Sequence, residues 1–515
     1  MRDGAQSEGI SFSVEDKLSI LKILDNIGVS FIEAGNPASN PKDLDFFTRA
    51  NTINLKHSKL VAFGSTRRKN VNANDDINLK ALLKADTDTV VIFGKSSDIH
   101  VSNIICTTPQ ENFNMIEQSC KFLKDNGKKV FFDAEHFFDG YINNKNFAIQ
   151  SLKSALNGGA DCLILCDTNG NTLPMQFIDI CNHIKTIFPK IPLGVHTHND
   201  SGVAVSNSIM AAQLGFNQIQ GTFLGFGERC GNANLSTIIA DLQLKLDIRC
   251  IPYNNINLLT KTARQIAEIS NVSLPKNSPF VGRSAFAHKA GMHTDGVLKL
   301  SSSFEHVSPS AVGNDRRFLT SEMSGRTALL QKIQKISPEI EKNSPQTISI
   351  LNNLKQLEKN GYQFEGADSS LELLIRKHTN KYKPFFELLN YKIISEGPTQ
   401  NYTNAFAMVK VSVHNNTKIM AAEGNGPVNA LDKALRCALE TFYPSLSKMH
   451  LIDYKVRVMD SNNATASTVR VLISSSDGRI ICNTVGVSSD VVKASLLALM
   501  DSIEYKLIKD NEFDF

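Results

Sequence analysis

Between residue 13 and about residue 247 the chain alternates short runs of apolar, often β-branched residues with longer stretches in which apolar residues return every three or four positions. One such pair recurs roughly every 30 residues, the cadence of successive strand–helix units. The pattern predicts strands at Ser30–Gly35, Leu60–Thr66, Thr89–Gly94, Lys129–Ala134, Cys162–Asp167, Leu193–His198 and Gln218–Leu224. A first helix is predicted to open at Ser13, with Asp16 three residues on as the reciprocal cap and Val14, Leu18, Leu21 and Leu24 on one face. Parallel strands joined by helices form either an open doubly wound sheet or a closed barrel. Even spacing, with polar residues at most strands' C-terminal ends, favours the barrel. The fold class is therefore α/β, a (β/α)8 TIM barrel of which seven strands are visible. The barrel's first strand is expected to precede Arg2, because the chain begins at what reads as that strand's C-terminal end. Without it the barrel has two raw edges.

From Ile251 to about Tyr391 the pattern is mostly helical, with loops at Ser301-Ser-Ser and Asn343-Ser-Pro-Gln, and reads as a linker region beside the barrel. From about Asn404 the chain repeats itself at an offset of about 60 residues. Val409-Lys-Val-Ser-Val413 falls on Val469-Arg-Val-Leu-Ile473, Gly426 on Gly486, and Lys433-Ala434 on Lys493-Ala494. Each half reads strand, strand, glycine turn, helix, so two ββα units are expected to form a small α+β domain. It suits ligand sensing or dimerisation, the alternative being a packing appendage. The expected domains are a catalytic barrel over 1–250, helical linker subdomains over 251–395 and a regulatory domain over 396–515.

At 515 residues the chain exceeds what one core usually organises. A net charge of +4 forms no basic block, which argues against nucleic acid as a partner. No apolar run approaches a membrane span and no signal core follows Met1, so a cytoplasmic protein is expected. None of the nine cysteines forms a Cys-x-x-Cys pair, and Cys162, Cys166 and Cys482 lie in strand-like runs, which points to buried free thiols.

The chemistry concentrates at strand ends. His196-Thr197-His198 closes a predicted strand, and alternation turns both imidazoles to one face. Such a pair suits a divalent metal or simply satisfies local carbonyls. Asp3, ending the presumed first strand, and Asn232, following the last, would be neighbours of that pair in a closed barrel. Together the four make a mixed, fairly hard site for Mg²⁺ or Mn²⁺, with Zn²⁺ as the remaining candidate. Arg2 is a candidate fixed charge for a developing oxyanion, or a surface arginine at a frayed terminus. Glu135 is a candidate acid/base, with Asp133 on the same face as its rival. Thr168 is a candidate for a substrate carboxylate, although Asp167-Thr-Asn-Gly170 is also an ordinary turn sequence.

Arg2-Asp-Gly-Ala-Gln6, His196-Thr-His-Asn-Asp200, Gly225-Phe-Gly-Glu-Arg-Cys-Gly-Asn-Ala-Asn234 and Phe286-Ala-His-Lys-Ala-Gly-Met-His293, in that order, resemble the superfamily of 2-isopropylmalate, homocitrate and citramalate synthases. Ile32–Lys42, Phe131–Tyr141 and Asp460-Ser-Asn-Asn-Ala-Thr-Ala466 resemble its citramalate branch. The resemblance covers essentially the whole chain. It implies Asp3, His196, His198 and Asn232 around the metal, Arg2 steadying an enolate-like oxygen, Glu135 in the acid/base network and Thr168 on the 2-oxo acid. It also implies that His293, from a partner subunit's linker, helps deprotonate the acetyl-CoA methyl group, making a homodimer the catalytic unit. Phe304 departs from the tyrosine many relatives carry. The implied reaction is a Claisen-type condensation of acetyl-CoA with pyruvate, inhibited by isoleucine. The alternatives are 2-isopropylmalate synthesis from 2-oxoisovalerate, carbon–carbon cleavage by an acyl-CoA lyase and a catalytically impaired sensing homologue.

Overall fold

The computed structural model describes residues 1–319, 326–341, 343–395, 405–459, 467–478 and 480–513. It forms two compact units, Met1–Phe286 with His306–Arg316, and Ala287–Glu305 with Arg317–Phe515. The stretch just after residue 250, expected to belong to the linker, therefore packs with the first unit.

In the first unit β1 (Phe31–Gly35), β2 (Lys59–Ser65), β3 (Thr89–Lys95), β4 (Lys129–Glu135), β5 (Cys162–Asp167), β6 (Leu193–Thr197) and β7 (Gln218–Gln220) make one sheet in chain order. Every neighbouring pair is parallel. Side-chain alternation divides the strands between two cores. Val61, Phe63, Val91, Phe131, Cys162, Ile164 and Cys166 fill the inside of the curved sheet. Ile32, Val90, Ile92, Phe132, Leu163 and Val195 point outward against the helices. Burying both faces is what makes these strands read as nearly continuous apolar runs.

The first helix, α1 (Val14–Ile27), begins as the sequence predicts. Asp16 N donates to Ser13 Oγ at 3.1 Å and Ser13 N to Asp16 Oδ2 at 2.8 Å, a reciprocal cap contributing about 1 kcal/mol. Leu18, Leu21 and Leu24 are buried beneath it. Lys17, on the same helix, reaches Ala34 O at 3.1 Å and pairs with Asp43 of α2 (Pro41–Ala50). Asp43 in turn accepts from Asn36 N at 2.9 Å, so one buried ion pair ties the end of β1 to both helices.

One strand departs from expectation. The run 218–224 is strand only to Gln220, because Leu224 and Gly225 take left-handed φ values of 64° and 73°. A Cβ on Gly221 would lie 2.5 Å from Ala233 O, so the returning loop crosses where a longer strand would run. β1 and β7 are the two ends of the sheet and do not pair with each other. Between them lies a cavity of about 390 Å³, lined by apolar residues such as Leu24, Ile32, Ile219, Leu235 and Ile239. The gap falls where the first barrel strand was expected. The chain's start is nonetheless anchored, since Met1 N and Arg2 N approach Glu33 O at 2.9 and 3.3 Å.

In the second unit two-residue strands β8 (Ala287–His288) and β9 (Arg317–Phe318) pair in parallel. Helices Arg326–Ile336, Pro345–Lys359 and Asp368–His378 share a core of Leu329, Ile333, Ile350, Leu354, Leu371 and Ile375. Asn343-Ser-Pro-Gln, read as a loop, is instead a helix start, with Ser344 Oγ accepting from Thr347 N and Pro345 in the first turn. The repeat is real but larger than two strands and a helix. β10 (Glu387–Ser395), β11 (Ala405–Val413) and β12 (Asn416–Gly424) precede the helix Pro427–Glu440. β13 (His450–Val458), β14 (Val469–Ser476) and β15 (Ile481–Ser488) precede the helix Val491–Phe513. The missed strands β10 and β13 are edges of three-stranded sheets and mostly exposed on both faces, which removes the alternation that would betray them. The motif 460–466 lies outside the described residues.

Candidate metal centre and active site

Four strand ends and one loop bring the polar residues together. His196 and His198 follow the strand period at the end of β6, so both rings point to the inside of the sheet. Their Nε2 atoms are 3.2 Å apart. Asp3 Oδ2 lies 3.1 Å from His196 Nε2. Asp3, His196 and His198 are all buried, and they form the one cluster of His, Cys, Asp or Glu among the described residues with metal-ligand spacing. Asn232 is drawn in by a bridge to His198 and by Ala233 N donating to Thr197 O at 3.0 Å. Its amide nitrogen donates to Phe226 O at 3.2 Å, which leaves Oδ1 buried without a partner. Two imidazole nitrogens facing each other at this distance repel unless a proton or a cation lies between them. A divalent ion at this point would take that proton's place and give the orphaned amide oxygen of Asn232 a partner.

The electrostatics agree. Burial and the second imidazole push His198 down to about 4. Burial also opposes a charge on His196, but Asp3 more than offsets it and raises this ring to about 9. Burial works against the Asp3 carboxylate too, yet His196 and Arg2 hold it far below the usual carboxylate range. Asp3 therefore stays ionised and holds a positive charge against it, here a proton on His196.

Arg2 is no frayed surface residue. Its Nε donates to Glu33 Oε1 at 2.8 Å, its guanidinium lies 3.4 Å from Asp3 Oδ1, and its Cζ stands 3.7 Å above the Phe63 ring. Burial opposes its charge, but Glu33 and Asp3 outweigh the effect and keep the guanidinium protonated. Glu135 ends β4 and pairs with Lys95, its register neighbour on β3. Asp133, one inward position deeper, is pushed up to about 7 by burial and the Glu33 carboxylate. Thr168 stands just past β5, where its Oγ1 accepts from His136 N at 2.9 Å and leaves its own hydrogen available to a ligand. His293 is on the helix Gly291–Lys299 of the second unit, stacked on Phe304 with ring centroids 4.2 Å apart.

Residues 1–270 match the HMGL-like family, 280–361 the homocitrate synthase post-HMGL domain-like family, and 365–507 the LeuA allosteric (dimerisation) domain. The (R)-citramalate synthase of Aquifex aeolicus is 48% identical over 513 residues, spanning 99% of this chain and 97% of the relative. That of Geobacter sulfurreducens is 46% identical over 100% of this chain and 97% of its own. The chain belongs to the citramalate synthase branch of the 2-isopropylmalate and homocitrate synthase superfamily. By comparison, the 2-isopropylmalate synthase of Serratia proteamaculans is 30% identical over 97% of this chain and 92% of its own.

For a member of this superfamily branch, sequence reasoning missed Glu33, Lys95 and Gln220. All three are polar residues at inward positions of their strands, a signal that the alternation carries. The loop bearing Asn232 depends on glycine. Gly231 has φ 83°, and a Cβ there would lie 1.9 Å from Gly225 O. Gly231→Ala is expected to cost about 1–3 kcal/mol of strain and to weaken Mn²⁺ binding, measured by thermal unfolding and metal titration. Unchanged binding would detach the loop from the centre. None of the described helices is long and apolar enough to cross a membrane.

Proposed function

We propose that this chain condenses acetyl-CoA with pyruvate and water to give (R)-citramalate and CoA, with Asp3, His196, His198 and Asn232 holding a divalent ion. The carrying observation is the buried Asp3–His196–His198 cluster, with Arg2 beside it, in a chain that aligns end to end with (R)-citramalate synthases. Mg²⁺ or Mn²⁺ suits the donor set best. A carboxylate and an amide oxygen beside two imidazole nitrogens make a mixed, fairly hard donor set.

A divalent ion held by Asp3, His196, His198 and Asn232 would supply Lewis-acid polarisation of the 2-oxo acid's carbonyl. The chain's own groups do the rest. Arg2, fixed by Glu33 and the Phe63 ring, presents an N–H face to the oxygen that gains charge as the carbon–carbon bond forms. Thr168 donates its free hydroxyl hydrogen to the acid's carboxylate. Glu135, held by Lys95, belongs to the proton-transfer network, and His293 of a partner subunit takes the thioester methyl proton. Hydrolysis of the thioester then releases CoA and makes the step effectively irreversible. Such a committed step suits feedback through the C-terminal domain, for which isoleucine is the proposed effector and a homodimer the proposed assembly; the match to the LeuA allosteric (dimerisation) domain supports an effector site and a dimer.

The test is CoA release from acetyl-CoA with Mn²⁺ or Mg²⁺, offered pyruvate, 2-oxoisovalerate and 2-oxoglutarate in parallel. Turnover of pyruvate alone, lost with chelator and restored by metal, is the expected result. Preference for 2-oxoisovalerate would move the chain to isopropylmalate synthesis, and silence with every acid would overturn the condensation.

A further inference from the structure

His196 is held from behind. On the side away from Asp3 and His198, its Nδ1 lies 2.8 Å from Gln220 Oε1. Gln220 Nε2 donates to Asp133 Oδ1 at 3.1 Å. The three side chains link β6, β7 and β4 across the inside of the sheet, and His196 and Gln220 are register partners on neighbouring strands. Asp133 is 4% exposed, so this hydrogen-bond chain is built into the interior.

We propose that Asp133 and Gln220 are positioning residues that set the tautomer of His196, placing its hydrogen on Nδ1 and turning the bare Nε2 toward a divalent cation. The inference rests on the metal-centre reading above. A carboxamide has the same shape at both ends and differs only in which end donates. A carboxylate oxygen of Asp133 accepts, so the amide nitrogen of Gln220 faces it and the amide oxygen faces His196. That oxygen can only accept, and His196 must donate from Nδ1. In the neutral ring that can coordinate a cation, the one N–H is then on Nδ1, which leaves the Nε2 lone pair for coordination. Metal-bound histidines are commonly held by an acceptor on the far ring nitrogen, and loss of such a partner weakens metal binding about 10–100-fold. Here the acceptor is neutral, and its direction is assigned by a carboxylate one residue further out.

The two outer residues make separable predictions. Gln220→Met removes the acceptor, and Mn²⁺ affinity is expected to fall about 10–100-fold. Asp133→Asn keeps the shape but allows the Gln220 amide to turn over, donate to Nδ1 and drive the hydrogen to Nε2, so affinity falls again. Asp133→Asn combined with Gln220→Glu restores an acceptor that takes hydrogen bonds from both neighbours, and affinity is expected to recover most of the loss. A merely structural role gives no such rescue.

The whole chain serves for the test, with Mn²⁺ affinity read by electron paramagnetic resonance. The His196 Nδ1–H is read by nitrogen-15 NMR of the Zn²⁺-loaded, histidine-labelled protein. An Nδ1–H signal present in the unsubstituted chain, lost in Gln220→Met and regained in the double variant, is the expected result. Equal Mn²⁺ affinity in all four proteins, or an Nδ1–H signal indifferent to Gln220, overturns the relay. An unsubstituted chain that binds no Mn²⁺ overturns the metal centre instead, and with it the purpose assigned to the relay.

Discussion

Replacing His198 by alanine is expected to lower CoA release with pyruvate by about 10³-fold and to weaken Mn²⁺ binding at least as much as loss of Gln220. In the proposed centre the imidazole supplies one of two nitrogens beside one carboxylate and one amide oxygen, and burial and His196 push its ring down to about 4. It therefore costs no proton to bind a cation. Lewis-acid stabilisation is worth several kcal/mol, and about 4 kcal/mol corresponds to roughly three decades in rate. Calorimetric titration with Mn²⁺ and a CoA-release assay read the two effects separately. The far-ultraviolet spectrum should be unchanged, because the residue lies at the end of β6 and not in its packed core. An alanine variant with full turnover and full Mn²⁺ affinity would remove His198 from the centre.

The largest effect on stability is expected from Asp43→Ala. Lys17 is 4% exposed, so removing its carboxylate partner strands a buried ammonium, at a cost of about 3–5 kcal/mol. That is a large share of the roughly 5–15 kcal/mol that holds a folded domain together. The damage is directed, since Asp43 also accepts from Asn36 N, and Lys17 also donates to Ala34 O. Both contacts fix the end of β1, two residues beyond the Glu33 that anchors Arg2. The variant is expected to melt several degrees earlier and to bind the 2-oxo acid more weakly. Because the chain has two compact units, the transition of the first must be followed by a local probe, such as hydrogen exchange of β1. Lys17→Met with Asp43→Leu should recover most of the stability, because a matched apolar pair replaces both charges at once. If Asp43→Ala melts like the unsubstituted protein, the pair is neutralised in place and contributes nothing.

Much of the first unit was readable from hydrophobic period alone. Six of the seven strands begin and end within a residue of the predicted bounds, because inward and outward side chains alternate strictly and both faces are buried. The failure at β7 came from a glycine-rich loop whose left-handed residues look, in one dimension, like a continuing apolar run. The failures at β10 and β13 came from edges with little to bury. The histidine pair was readable because a strand's two-residue period fixes which side chains share a face.

What the sequence by itself determined is the order of strand–helix units, the capped start of α1, the repeated C-terminal domain and the candidates Asp3, His196, His198 and Asn232. Those follow from local period, local hydrogen bonding and residue chemistry, which act over a few positions. Only the tertiary structure decided that Glu33 and Phe63 grip Arg2, that Lys95 answers Glu135, and that Gln220 and Asp133 stand behind His196. Gln220 lies 24 residues from His196 and 87 from Asp133, and no local rule couples residues that far apart. They meet because parallel strands set side by side bring equal heights of distant segments to one interior face, where a polar group must find its partner or remain unsatisfied.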